Sequence, residues 1–166
     1  MTNQETIIKI INSKFKIYDN KQIENLVNDS LNPVVLTFES LLTKKPTSIP
    51  IWIILYKTKF YAFASKNSKK VKAIEGGNTE INLLIINKEF YPHPEEGLIP
   101  YLGIKGTAVI SSYKENKMIP KIHQDLLKKY DENLSIDWVK ELYHKLEKKP
   151  ELTWLIEITP KSYYSY

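Results

Sequence analysis

The chain contains no cysteine and no arginine. The first absence excludes disulfides, thiolate chemistry and Cys-ligated zinc. The second means that any bound phosphate is held by lysine point charges, hydroxyls or backbone N–H groups, without the bidentate fork that arginine supplies. No apolar run is long enough to span a bilayer, and Met1–Thr6 lacks the basic start and apolar core of a signal peptide. The expectation is a cytoplasmic protein with no membrane partner. A Walker loop, a dinucleotide-binding glycine motif and a Ser-His-Asp arrangement are missing as well. His93, His123 and His144 show no metal-ligand spacing and no accompanying carboxylate pair, so no metal is expected.

With 166 residues, 42% of them hydrophobic and 26% charged, the sequence reads as one globular domain over 1–166. The formal charge is +5 and all 24 basic residues are lysine. An excess of lysine, isoleucine and asparagine is also what a biased genome produces, so the total says little. Its distribution says more. Ser40 to Ile74 carries Lys44, Lys45, Lys57, Lys59, Lys66, Lys69, Lys70 and Lys72, and no Asp or Glu. Within it two apolar, β-prone runs end in Ala64-Ser65-Lys66-Asn67-Ser68-Lys69-Lys70-Val71-Lys72. A strand pair that delivers hydroxyls, amides and ammonium groups to a helix start suits an anion, because free N–H groups and the positive end of the helix dipole point the same way.

Hydrophobic spacing predicts a helix over Asp19–Asp29, with Ile23, Leu26 and Val27 on one face, ended by Asn32-Pro33. Gln4–Asn12 suits a short helix or strand. Strands follow at Val34–Phe38 and Thr47–Leu55, the latter with Trp52 inside it; a turn at Tyr56-Lys57-Thr58 leads to a strand over Lys59–Ala64. Ser68–Glu75 reads as a short helix with Ser68 as N-cap, Val71 and Ile74 inward and Gly76-Gly77 as its stop. Glu80–Ile86 is a buried strand, Tyr91–Pro100 a loop, and Leu102–Ser111 a strand broken by Gly103 and Gly106. A helical insert over about 114–149 holds helices at Ile119–Tyr130 and Asp137–Glu147. Leu152–Thr159 is the last strand, ended by Pro160. Consecutive strands joined by short turns favour an antiparallel barrel over a parallel α/β sheet.

Several residues carry two readings each. Ser65, Asn67, Ser68, Lys69 and Lys70 form either a phosphate cradle or an ordinary Ser-capped helix with a solvated lysine face. Trp52 walls a planar ring or fills the core, and composition alone favours the core. Gly106 marks a bulge or a close backbone approach, and Lys105 beside it faces a ligand or solvent. The aromatic tail Tyr163-Tyr164-Ser165-Tyr166 packs on a neighbouring subunit or is a partly ordered end.

The succession Pro50-Ile51-Trp52, Phe63-Ala64-Ser65, Ser68-Lys69-Lys70-Val71-Lys72, Ile104-Lys105-Gly106, Lys129-Tyr130 and Ile156-Glu157-Ile158-Thr159-Pro160 resembles the flavin-binding split-barrel superfamily, the group of pyridoxamine phosphate oxidase and its relatives. The resemblance runs from about Val34 to Pro160. It implies a mainly β fold: a six-stranded antiparallel split barrel of Greek-key type with flanking helices. It implies a homodimer with two cofactor sites at the subunit interface. It implies FMN, or in some branches a deazaflavin, with the phosphate on Ser68, Lys69 and Lys70. The ring system is then against Ile51, Trp52 and Ile53 and near Ala64 and Ser65. The partner subunit closes the pocket, with Lys105 or Trp154 as candidates. The chain departs from the family's pattern at Lys44-Lys45-Pro46-Thr47, where a glycine-containing turn is usual. It also lacks the phosphate-binding and substrate arginines of the true oxidases, so that specific activity is not expected.

The leading expectation is an FMN-dependent oxidoreductase acting on a small molecule, in which the cofactor does the electron transfer and the protein positions it. A flavin- or deazaflavin-binding protein without turnover is the second reading. A nucleic-acid-binding barrel is the third, since Trp52, Tyr56, Phe60, Tyr61 and Phe63 interleave with lysines as in stacking platforms. Strand alternation buries many of those rings, which ranks it below the other two.

Overall fold

The computed structural model describes residues 20–88, 101–112, 115–131, 148 and 150–164. The described residues form seven strands, three of which (34–39, 46–50 and 80–86) alternate strictly in burial, as expected when one face of a sheet turns inward. The seven are β1 (Val34–Glu39), β2 (Pro46–Pro50), β3 (Ile54–Tyr56), β4 (Lys59–Ser65), β5 (Glu80–Ile86), β6 (Tyr101–Ser112) and β7 (Thr153–Tyr164). Among the described residues the helices α1 (Asn20–Asn28), α2 (Lys69–Glu75) and α3 (Ile119–Asp131) accompany them. All strands pair antiparallel in one sheet of order β2-β1-β5-β6-β7-β4-β3.

That order dictates the shape. β2 and β3 are the two outer strands of the sheet, yet only residues 51–53 separate them in the chain. From Pro50 to Ile54 an extended chain spans no more than about 14 Å, so the sheet must roll until its edges nearly meet. The result is a barrel split at 51–53. Its interior is filled from the inward faces of the strands, by Leu36, Phe60, Ala62, Leu83, Ile104 and Ile158 among others. Ile23, Leu26 and Val27 of α1, and Val71, Ala73 and Ile74 of α2, join the same core. α3 lies on the opposite face, where Ile119 and Ile122 meet Tyr61 and Leu155, and Leu126 and Tyr130 meet Trp52, Ile54 and Phe63.

Most expected elements are present close to the expected bounds. Ser68 caps α2, its Oγ accepting from Val71 N at 3.4 Å, and Gly77 takes the left-handed φ of 94° beyond its end. Lys57, with φ 57°, makes the tight turn between β3 and β4.

Four expectations need correction. The sheet has seven strands rather than six, because Thr47–Leu55 is not one strand: it is β2 and β3 with a break between them. Trp52 therefore sits in the break, not mid-strand. The peptide groups there are bonded outside the ladder: Ile51 N donates to Val34 O at 3.0 Å, and Ile53 N to the Tyr130 hydroxyl at 3.1 Å. Gly103 and Gly106 do not break β6, which runs for twelve residues. Gly103 seats the Tyr164 ring, where an added Cβ would come within 2.1 Å of it, and Gly106 marks a register shift opposite Pro160. Pro160 does not end β7. The lost N–H falls at that irregularity, and pairing resumes through Ser162, Tyr163 and Tyr164. Tyr163 is buried in the core, so this part of the tail is an ordered strand. Gln4–Asn12, Tyr91–Pro100, Asp137–Glu147 and Ser165-Tyr166 lie outside the described residues.

Candidate functional site

Beside the split lies a cleft of about 470 Å³. One wall is the linker Ser30–Pro33 with the start of β1. A second is Pro50-Ile51-Trp52 at the end of β2 and in the break. Leu126 and Tyr130 of α3 form a third, Phe63 of β4 contributes between them, and Lys70 enters from α2. The lining is mostly apolar with a few polar groups, the usual character of a site for a small organic ligand.

Lys70 is half-buried, and no hydrogen-bond or ion-pair partner is found for its ammonium among the described residues. Burial lowers its pKa from the ordinary lysine value. A desolvated cation without a counter-charge, aimed into a cleft, is stabilised when an anion enters. Lys70 points there because Val71, Ala73 and Ile74 fix the inward face of α2.

The aromatic wall is held firmly. Trp52 and Tyr130 are stacked with ring centroids 4.6 Å apart and planes 11° from parallel. The Tyr130 hydroxyl accepts from Ile53 N at 3.1 Å and donates to Ile53 O at 3.3 Å. Burial pushes its pKa up to about 12, outweighing the opposite effect of the Ile53 backbone bond. Tyr130 is therefore neutral over the physiological range. Lys129 Nζ donates to the same Ile53 O at 2.8 Å and to Val27 O at 2.6 Å.

Of the nine residues predicted for the site, Ile51, Trp52 and Lys70 line the cleft. Ile53 is fully buried behind it, with its peptide groups bonded to α3. Ala64 is core. Ser65, Ser68 and Lys69 do not line it. Ser65 Oγ accepts from Asn67 N at 3.3 Å, and Ser68 serves as the cap already described. Lys69 and Lys105 are exposed, and Lys105 reaches over the Tyr164 ring at 6.0 Å. Trp52, for which wall and core were the alternatives, does both: one surface packs on Tyr130 while the residue borders the cleft. The sequence reading missed the Ser30–Pro33 linker, Phe63 and Leu126. Asn32-Pro33 was legible only as a helix stop, and Leu126 only as one residue of the predicted Ile119–Tyr130 helix. Among the described residues no three His, Cys, Asp or Glu side chains group as metal ligands. No described helix is long and apolar enough to cross a membrane.

No family model matches the chain, and no curated protein matches it in sequence. Solved structures do match in three dimensions. An F420 reductase superposes with a TM-score of 0.59 at 15% identity, over 84% of this chain and 94% of that one. HutZ, the heme storage protein of Vibrio cholerae, gives 0.63 at 9% identity, over 90% and 95%. A candidate pyridoxamine 5′-phosphate oxidase from Listeria innocua gives 0.53 at 16%, over 86% and 95%. At such identities the likeness is one of fold. The chain shares the split-barrel fold of these structures.

Proposed function

We propose that the cleft binds a flavin-type cofactor, FMN or a deazaflavin, and that the protein is a flavin-dependent oxidoreductase acting on a small molecule. The observation that carries this reading is Lys70, a half-buried ammonium without a partner among the described residues, in an otherwise largely apolar cleft bordered by Trp52. A phosphate-bearing planar heterocycle matches both features. The anion offsets the desolvated charge, and the ring system takes the apolar wall of Ile51 and Trp52. Ser68 and Lys69 sit beside Lys70 at the start of α2 but outside the cleft lining, so in this reading Lys70 carries the phosphate contact. The names of two similar structures, an F420 reductase and a candidate pyridoxamine 5′-phosphate oxidase, support the redox class.

A bound flavin supplies the hydride or electron transfer. The chain's own residues hold and orient it. Lys70 fixes the charged end, Trp52 and Ile51 exclude water from the ring, and Tyr130 keeps Trp52 in place. Tyr130, with its hydroxyl committed to Ile53 and its pKa at about 12, exchanges no proton at neutral pH. A second copy of the chain completes the site in this reading. Lys105 and Trp154 do not line the cleft of their own protomer, so they meet the cofactor only from a partner.

Absorbance of the purified protein after incubation with FMN and removal of the excess tests the proposal. Retained bands near about 450 nm, or about 420 nm for a deazaflavin, are expected. Lys70→Met should weaken FMN binding by about 10–100-fold, the loss of one charge-assisted contact of roughly 1.5–3 kcal/mol. Failure of both cofactors to remain bound refutes the reading. Oxidation of a nicotinamide donor by the loaded protein then separates an enzyme from a flavin-binding protein without turnover.

A further inference from the structure

Three walls of the cleft converge on one ammonium group that does not itself line the cleft. Lys129 Nζ reaches Val27 O at 2.6 Å and Ile53 O at 2.8 Å. Val27 lies in the last turn of α1, three residues before the Ser30–Pro33 wall. Ile53 directly follows Trp52 of the second wall. The third wall, Leu126 and Tyr130, is on the helix that carries Lys129. Both acceptors are backbone carbonyls, so the bonds fix chain positions rather than flexible side-chain tips.

We propose that Lys129 is a positioning residue for this cleft: by joining α1 and the strand break to α3 it sets the spacing of the three walls, and with it ligand affinity, without touching the ligand. The proposal rests on the flavin reading only for its choice of ligand probe. The charged groups around Lys129 leave it free to act this way. Just past α1, Asp29 favours the ammonium form, but its carboxylate pairs with Lys88 Nζ at 3.0 Å. Residues 50–54 carry no charge. On α3, Lys128 is exposed and Tyr130 is neutral. Burial opposes the charged form, so an arrangement in which Lys129 reaches water binds its proton more tightly than the joined one. Raising the pH through about 8 therefore favours the joined arrangement, in which a neutral amine still offers a proton to each carbonyl.

The first readout needs no ligand. The Trp52–Tyr130 stack should contribute a near-ultraviolet circular dichroism band, identified as the part lost in Trp52→Phe. Lys129→Met should lose that band with its far-ultraviolet spectrum unchanged, and Lys129→Arg should retain it. With FMN as probe, the Kd of Lys129→Met should rise about tenfold or more, and that of Lys129→Arg should stay within about threefold of the wild type. A folded Lys129→Met protein that keeps both the band and the wild-type Kd overturns the proposal. If that variant does not fold, the pH response decides. The wild-type band should strengthen between pH 7 and 9.5 while that of Lys129→Arg stays flat, and equal responses overturn the proposal. If the wild type binds no FMN, the flavin reading fails while the ligand-free band still decides the role of Lys129.

Discussion

The half-buried Lys129 makes an unusual demand on stability at alkaline pH. Its pKa is depressed to about 8 against 10.5 for a free lysine, chiefly by burial and against the field of Asp29. Between those two values the unfolded chain holds a proton that the folded chain has released. Stability therefore rises with pH across this window, by about 3 kcal/mol at most. Buried tyrosines work the other way above it. Tyr130 has its pKa pushed up to about 12 by burial, so the folded protein keeps a proton that the unfolded chain releases from pH 10 upward. This costs about 3 kcal/mol by pH 12. Tyr163, at about 12 for the same reason, adds to the fall. The expected profile climbs from pH 8, peaks near pH 10 and then drops. Urea unfolding followed by far-ultraviolet circular dichroism at pH 7, 8.5 and 10 measures it. Comparison with Lys129→Met removes the contributions of all other groups. The unfolding free energy of the wild type should gain about 2–3 kcal/mol on the variant between pH 7 and 10. A difference that is flat or falls over that interval refutes the reasoning. At pH 7 the variant can equal the wild type in stability, because removing a partly desolvated cation offsets the lost bonds. Stability and cleft order then part company, as a positioning role requires.

Two further outcomes follow from local geometry. Ser68→Ala removes the cap on Val71 N and should lower stability by about 1 kcal/mol, read as a drop in thermal midpoint. Gly106→Ala places a Cβ 2.7 Å from Thr159 O and 3.2 Å from Ile158 Cγ2; backbone cannot move aside cheaply there, so a loss of about 1–3 kcal/mol is expected in urea unfolding.

How far the sequence revealed this molecule depended on whether local or distant partners decide each element. α2 and β5 were legible because their determinants are local: a Ser cap, a glycine stop, an alternating apolar run. The break at 51–53 was not. Ile51-Trp52-Ile53-Ile54 has strong β-propensity, and nothing within it says that Ile53 will turn its peptide groups to a helix about eighty residues later. Pro160 misled in the opposite sense. A proline usually ends a strand, but here its missing N–H coincides with a register shift and β7 continues. At the site, sequence placed Lys69 and Lys70 side by side with equal claims. Only the packing of Val71, Ala73 and Ile74 into the core turns Lys70 to the cleft and Lys69 to solvent. Lys129-Tyr130 was visible as a motif without a role, since its role lies in contacts with Val27 and Ile53.

The cleft and the break have a common cause. A closed barrel commits every strand's N–H and C=O groups to its neighbours and leaves no edge for a ligand to approach. Splitting the ring between β2 and β3 exposes a stretch of backbone whose polar groups need other partners. Ile53 finds them on Tyr130 and Lys129, and Ile51 N finds Val34 O. Those partners bring α3 and the start of β1 against the gap, and the space left between them is the cleft. Of the residues that repair the defect, Tyr130 and Val34 also wall the site, and Lys129 sits behind it. This explains why Lys129, far from Trp52 in sequence and outside the cleft, bears on what the cleft can hold. Lys70, the lysine that enters the site among the described residues, comes from a helix anchored in the barrel core, and a charge held by rigid packing stays in place while the walls around it adjust.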